Sequence, residues 1–265
     1  MTTTATGRLL ALGRAETTLL FRNRTALFTA LALPPLLVVA LAEPMKQQAG
    51  EFPGISTAGL LVSGLLGLIP MFVVYYNLTA AYVARRGELV LKRLRTGEAR
   101  DLEILAGTAV PSVLLAALLS VVLCGAGAVG LDLRMPVNPV LVVLGLVLLI
   151  ALLVGLAALS SVVTRTVESA GITTLPVLLI SQFGSGLILP IDSMPEQLAT
   201  VCRLLPTTPA FQLLRLGWFG TEGSAPATDF AGTWSDALPL LALGLAWTAA
   251  AVWATNRWFR WEPRR

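Results

Sequence analysis

The chain has 265 residues, of which 55% are hydrophobic and 13% charged; it carries a formal net charge of +4 and contains no histidine. So little charge cannot cover the surface of a soluble domain of this length. The apolar residues instead fall into long blocks separated by short charged segments, which is the pattern of a membrane protein that crosses the bilayer repeatedly. The basic balance does not indicate nucleic acid, because Lys and Arg flank the apolar blocks rather than forming one soluble face. Cys124 and Cys202 have no CxxC spacing and read as packing residues.

In chain order, residues 1–13 hold no apolar core followed by a small-residue cleavage site, so the mature chain is expected to begin at Met1. Residues 6–24 mix Leu9, Leu10, Leu12, Leu19, Leu20 and Phe21 with Arg8, Arg14, Arg22 and Arg24, which predicts a helix lying flat at the lipid surface. Six spans are then predicted, at 26–42, 58–83, 104–131, 139–163, 170–189 and 237–255. At about 1.5 Å rise per residue even the shortest reaches roughly 26 Å. Pro34, Pro35, Pro70, Pro111 and Pro176 fall inside or near the ends of spans, where neighbouring helices can satisfy the freed carbonyls, so kinks rather than helix ends are expected. Small residues at Gly125 and Gly127, and at Gly184, Ser185 and Gly186, mark places for close helix approach or a broken helix.

Charge orients these spans. With the N-terminus inside, fifteen of the 19 Lys and Arg residues fall on inner segments, and only Lys46, Arg134, Arg203 and Arg215 fall outside. That asymmetry predicts cytoplasmic N- and C-termini.

Two connections are more than simple loops. Residues 84–103, ARRGELVLKRLRTGEARDLE, form the most charged stretch, and Leu89, Val90, Leu91 and Leu94 interleaved with Arg86, Glu88, Lys92, Arg93 and Arg95 predict a short amphipathic helix ended by Gly97. A second helical start through Arg100, Asp101 and Glu103 leads into the third span. By pattern alone this stretch fits equally a solvated topogenic loop or a docking helix for a cytoplasmic partner. Between spans five and six, Met194, Leu198, Val201, Cys202, Leu204 and Leu205 recur at helical spacing, and a second apolar run covers 211–219. Both are too short to span and read as interfacial or re-entrant helices separated by Pro206 and Pro209, with 220–236 as an outer loop.

Several chemistries lack their residues. Without histidine there is no HExxH site and no Ser-His dyad, and no GxxxxGK[ST] sequence is present to bind nucleotide phosphates. No ionisable residue lies near the middle of a predicted span, which weighs against a carrier that binds its own coupling ion. The polar residues within spans are milder; Tyr76, Asn77 and Gln182 are candidates to line a substrate pathway, against the plainer role of interhelical hydrogen bonding.

At the two unusual connections the sequence resembles the permease subunits of the type two ATP-binding-cassette export family. The family motif similar to E-R-x-x-G-T-L-x-R-L is matched by Arg86-Gly87-Glu88-Leu89-Val90-Leu91-Lys92-Arg93-Leu94, followed by Leu102-Glu103-Ile104-Leu105. Aligning Leu91 to Leu94 puts Leu89 where the family has glycine and displaces Gly87. The later stretches 185–190, 194–196, 204–207 and 213–215 look like the family's pattern after span five. The resemblance covers nearly the whole chain and implies an all-α membrane protein made of one permease domain over 1–265. Its parts would be six transmembrane helices, an N-terminal interfacial helix, a cytoplasmic coupling helix between spans 2 and 3, and short outer re-entrant or interfacial helices between spans 5 and 6.

The implied function is export of a hydrophobic or amphiphilic substrate, a drug, antibiotic, lipid-like molecule or polymer, out of the cell. ATP and Mg would sit on a separate cytoplasmic ATP-binding-cassette ATPase, leaving this chain without a catalytic residue, metal or cofactor of its own. A second permease copy or paralogue completes the pair in the plasma membrane. The resemblance assigns docking to Arg86, Glu88, Leu91, Lys92, Arg93 and Leu94, and an outer gate to Pro190, Met194, Pro195, Leu205 and Pro206. The alternatives are a self-sufficient carrier or channel, and a non-transport immunity or scaffold protein.

Overall fold

A computed structural model describes residues 57–96, 100–130, 135–187, 191–222 and 226–262, together with five isolated positions nearer the N-terminus. The predicted interfacial helix at 6–24 and the first span at 26–42 lie outside the described residues apart from those isolated positions. Every described element is helical.

The second predicted span is the central element. Helix α1 (Thr57–Pro70) passes through a π-helical segment (Met71–Tyr76) into α2 (Asn77–Gly87), giving one continuous apolar rod over Gly59–Gly87. Pro70 has no N–H to give the preceding turn, and the ladder widens just after it: the Asn77 N–H reaches back to the Phe72 carbonyl, five residues away. The Thr79 hydroxyl donates to the Tyr75 carbonyl at 2.7 Å, so the widened ladder keeps its acceptors occupied. The proline thus produces a π segment within a continuous rod, a milder outcome than a helix end and of the kind the sequence predicts.

After a short turn comes α3 (Val90–Arg95), then α4 (Asp101–Gly130), α5 (Pro139–Val163), α6 (Ala170–Gly184), a single 3-10 turn (Ile191–Ser193), α7 (Glu196–Arg203), α8 (Thr208–Phe219) and α9 (Thr233–Trp258). The long apolar α4, α5 and α9, with the central rod, are four helices long enough to cross a bilayer. Their boundaries follow the predicted spans closely, and α5 coincides with one. Helix α6 is shorter than its predicted 170–189 span. It stops at Gly184, and Gly186 turns the chain with φ of +78°, a conformation that glycine adopts without a Cβ penalty.

The burial pattern is inverted along the outer helices. The central rod is largely enclosed, whereas α4 turns Leu114, Leu118, Val121 and Val122 outward and α6 exposes Ile172, Leu175, Leu179 and Phe183 along one stripe. Exposed large aliphatic residues on helices whose backbone bonds are internally satisfied suit hydrocarbon, not water.

One end of the bundle is fixed by Asn138, which is fully buried. Its side-chain oxygen accepts from the Leu141 N–H to cap α5, its amide donates to the Thr233 hydroxyl at 3.0 Å, and its backbone N–H donates to the Gly217 carbonyl at 2.8 Å. The starts of α5 and α9 and the end of α8 therefore meet at one residue. Gly217 permits this, since a Cβ there would lie 2.8 Å from the Val142 nitrogen. Helices α5 and α9 then run side by side to Gly155, where a Cβ would lie 2.9 Å from Ala251.

Helices α7 and α8 form a re-entrant hairpin. The α8 end sits at Asn138, but its start is deeper: Pro209 lies against Gly244, and the Trp247 indole donates to the Leu204 carbonyl at 3.1 Å, roughly halfway along α9. A 12-residue helix rises about 18 Å, which matches a half-depth excursion. The hairpin tip is held by Ser185 and Thr207, whose hydroxyls are 2.6 Å apart, and by the Thr208 hydroxyl donating to the Cys202 carbonyl at 2.6 Å. The end of α6 packs there too, with Gly184 against Leu205.

Candidate coupling surface and membrane core

The turn between α2 and α3 is built on an unusual backbone. Leu89 precedes α3 with φ of 60° and ψ of 13°, the left-handed region that costs a side chain with a Cβ about 1–2 kcal/mol. This is the position where the family resemblance places glycine. The turn aims α3 so that Leu91 is fully buried while Glu88, Lys92 and Arg93 are exposed and Leu94 is half-buried.

Arg86, which the resemblance assigns to docking, lies inside the bundle. It is only 1% exposed, and its guanidinium donates to the carbonyls of Ser161 at 2.8 Å and Thr164 at 2.6 Å. Those are carbonyls at the end of α5 that lack intrahelical donors, and a cation there also meets the negative end of the helix dipole. Arg86 is thus an internal clamp between α2 and α5, and in this conformation its charge is not available to a docked partner. Beside it, the Tyr82 hydroxyl donates to the Leu105 carbonyl at 2.9 Å, and the Tyr75 and Ser160 hydroxyls are 2.8 Å apart, so the central rod is bonded to both α4 and α5.

The exposed charges are held among themselves. Arg85 meets Glu88 at 3.0 Å, Arg95 meets Asp101 at 3.1 Å, and Lys92 meets Glu262 at 2.6 Å. The last pair brings the segment after α9 onto α3. That contact continues through rings: Tyr82 stacks edge-on to Phe259, Phe259 edge-on to Trp261, and the Arg95 guanidinium lies 5.0 Å from the Trp261 ring centre. Exposed ion pairs contribute little each, so the aromatic chain supplies the larger part of this seam. Glu88, Lys92 and Arg93 are therefore exposed beside half-buried Leu94, Leu91 anchors the helix, and residues 259–262 border it. Sequence reading missed Phe259, Trp261 and Glu262; their aromatic-acidic spacing after the last span was the only available signal.

The three proposed pathway residues are not gathered in one place. Asn77 and Gln182 are buried, and Tyr76 is half-buried with its hydroxyl beside Gly171 at the start of α6. Gln182 is eleven residues further along α6, about 16 Å away along its axis. Tyr76 and Asn77 are neighbours on the π-helical junction, whereas Gln182 belongs to the other end of α6.

The proposed outer-gate residues divide similarly. Pro190 lies outside the described residues. Met194 and Leu205 pack on a small cluster of Ile191, Ala199 and Cys202, Pro195 is exposed at the head of α7, and Pro206 sits at the hairpin tip. Near them lies Arg215, 6% exposed, which the sequence places among the outer charges and at the end of the 213–215 stretch that looks like the family's pattern.

Among the described residues, four crossing-length helices with lipid-facing aliphatic stripes, a re-entrant hairpin at one end and a clamped charged helix at the other define an all-α, multi-pass membrane protein. A family model described as ABC-2 type transporter matches residues 8–219, and the chain belongs to that family. It is accordingly a permease component of an ABC transporter, a membrane part that is not itself catalytic. No curated protein matches the chain.

Proposed function

We propose that this chain is the membrane subunit of an exporter whose force arrives at α3 from a separate cytoplasmic ATPase carrying ATP and Mg. The observation that carries the reading is the clamping of α3: Arg86 fixes its base to α5, Leu91 is sunk into the bundle, and residues 259–262 brace its side. A helix held at three points moves as one body with the central rod, α5 and α9, as rigid-body switching between two arrangements requires. Glu88, Lys92, Arg93 and Leu94 form the surface the partner meets.

Orientation follows from charge. The patch on α3 and the segment after α9 lie at the same end of the bundle, and both are rich in Arg and Lys, which supports an inner location for that end and for both termini in the plasma membrane. The substrate class is hydrophobic or amphiphilic, in keeping with buried polar groups that, apart from Arg86 and Arg215, are hydroxyls and amides. Two permease copies or a copy and a paralogue complete the pathway.

The test is co-purification and reconstitution. The full chain, expressed with the candidate ATPase, is expected to bring it down, and Arg93→Glu combined with Lys92→Glu is expected to abolish substrate-stimulated ATP hydrolysis while the chain still inserts. Vectorial transport by the chain alone in liposomes, with no ATPase present, would refute the reading.

A further inference from the structure

At the end of the bundle opposite α3, between the re-entrant hairpin and the turn after α6, lies a polar cavity of about 150 Å³. It is lined by Asp192, Arg203, Gln212, Arg215, Glu222 and the Gly186 backbone. Arg215 comes into it from the most enclosed part of α8, and only its Nη1 is used, donating to the Gly186 carbonyl at 2.8 Å. Its Nε and Nη2 are buried and have no hydrogen-bond partner among the described residues. Those two N–H groups form one edge of the guanidinium, the fork that takes two oxygens of a carboxylate or phosphate side by side. A buried charge left half-satisfied is costly, so a fold that leaves this edge unpaired beside a cavity has a reason to leave it so.

The other charges narrow the ligand. Asp192 is engaged by Arg203 at 3.2 Å, which offsets part of its charge. What remains is one buried cation, Arg215, and one acid, Glu222, whose carboxyl is pushed up first by burial and then by Asp236 and Asp192 nearby. A simple anion would gain the Arg215 fork but meet Glu222. A zwitterion satisfies both. The cavity volume is that of a site which holds a ligand about the size of benzene, a headgroup rather than a whole drug or lipid.

We propose that this cavity binds a small zwitterion in which an oxoanion is joined by a short linker to a primary ammonium, the oxoanion on the Arg215 Nε–Nη2 edge and the ammonium toward Glu222. Phosphoethanolamine has this chemistry, and it reaches the site either as a lipid headgroup or as a free solute. The inference rests on the geometry of the cavity alone and is independent of the ATPase and of the direction of transport.

The experiment is calorimetric titration of the full chain in phosphatidylcholine nanodiscs with phosphoethanolamine, with inorganic phosphate and with ethanolamine. Phosphoethanolamine is expected to bind, and each half alone to bind at least about tenfold more weakly. Arg215→Lys keeps the charge but loses the fork, and is expected to weaken phosphoethanolamine by about tenfold or more. Glu222→Gln, a near-isosteric change at a half-exposed position, is expected to weaken phosphoethanolamine while leaving inorganic phosphate unchanged or tighter. Exchanging half of the lipid for phosphatidylethanolamine separates the sources: competition with the soluble probe assigns the site to a lipid headgroup, and unaltered affinity assigns it to a free solute, the zwitterion site standing in both cases. Absence of phosphoethanolamine binding together with no effect of phosphatidylethanolamine overturns the proposal, as does equal affinity for inorganic phosphate, or affinity unchanged in both Arg215→Lys and Glu222→Gln. None of these readouts uses transport or ATP hydrolysis, so their failure leaves the exporter reading untouched.

Discussion

Replacing Arg86 with Met tests the clamp at the base of α3. The methionine fills similar space and brings no charge, but it leaves the Ser161 and Thr164 carbonyls without the guanidinium donors that now reach them at 2.8 and 2.6 Å. Ser161 is fully buried and Thr164 is 1% exposed, so water does not simply replace the lost donors. An orphaned buried acceptor costs about 1–3 kcal/mol, and relief from burying the guanidinium offsets part of the sum, so the net loss is about 2–5 kcal/mol. For a chain of this size that corresponds to a fall in Tm of roughly 5–20 °C. Arg86→Lys, a point donor without the fork, is expected to recover about half of it. The assay is thermal unfolding of the full chain in nanodiscs, with Arg93→Met as the control, because an exposed position away from such contacts changes stability by only about 0.5 kcal/mol. If Arg86→Met and Arg93→Met melt together, the clamp does not hold and the rigid-lever reasoning loses its base.

Three further outcomes follow from particular contacts. Leu89→Gly removes the Cβ from a left-handed residue, and after allowing for the greater unfolded freedom of glycine it is expected to stabilise the chain by about 0.5–1 kcal/mol, read as a small rise in Tm; a fall would mean that the Leu89 side chain holds the turn in place. Gly217→Ala drives a Cβ against the Val142 nitrogen and the Asn138 carbonyl oxygen and is expected to cost about 1–3 kcal/mol, whereas Gly125→Ala, with nothing within 4 Å, is expected to be neutral or mildly stabilising. Glu222 has its pKa raised in the folded chain, mainly by burial, so the folded state holds its proton more tightly than the unfolded state; stability from this group is expected to rise as pH falls from the raised value toward the ordinary glutamate range, and Glu222→Gln to flatten that dependence of Tm on pH.

The long helices were legible because each is a single apolar block bounded by charge or proline. Asn138-Pro139 is both a cap and a first-turn signal, and it fixes the start of α5 at the predicted residue. The end of α6 was not legible. The apolar run continues through Leu187, so hydropathy carries the span on to 189, while the stop is made by Ser185 pairing with Thr207 and by the left-handed Gly186. The short runs after it were readable as interfacial or re-entrant, but their half-depth placement depends on Trp247 and Gly244, far away in the chain.

The charged stretch after α2 was legible as a helix, but the burial of Arg86 within it was not. Arg86 sits in a charged run and reads there like its neighbours; its burial is set by the end of α5, 75 residues on. The brace from Phe259, Trp261 and Glu262 is equally non-local. Arg215 shows the same gap from the other side, since a lone arginine in an apolar run counts as a topological charge until the Gly186 carbonyl and the unpaired guanidinium edge are seen together.

Crosslinking tests the central claim most directly. With Cys124 and Cys202 replaced by alanine, single cysteines at Glu88 and Arg93 are expected to crosslink to a cytoplasmic ATPase in intact membranes, and to do so in a pattern that changes between the ATP-bound and nucleotide-free states. Crosslinks that never reach such a partner, or labelling of both positions by a membrane-impermeant thiol reagent added from outside the cell, would contradict the account.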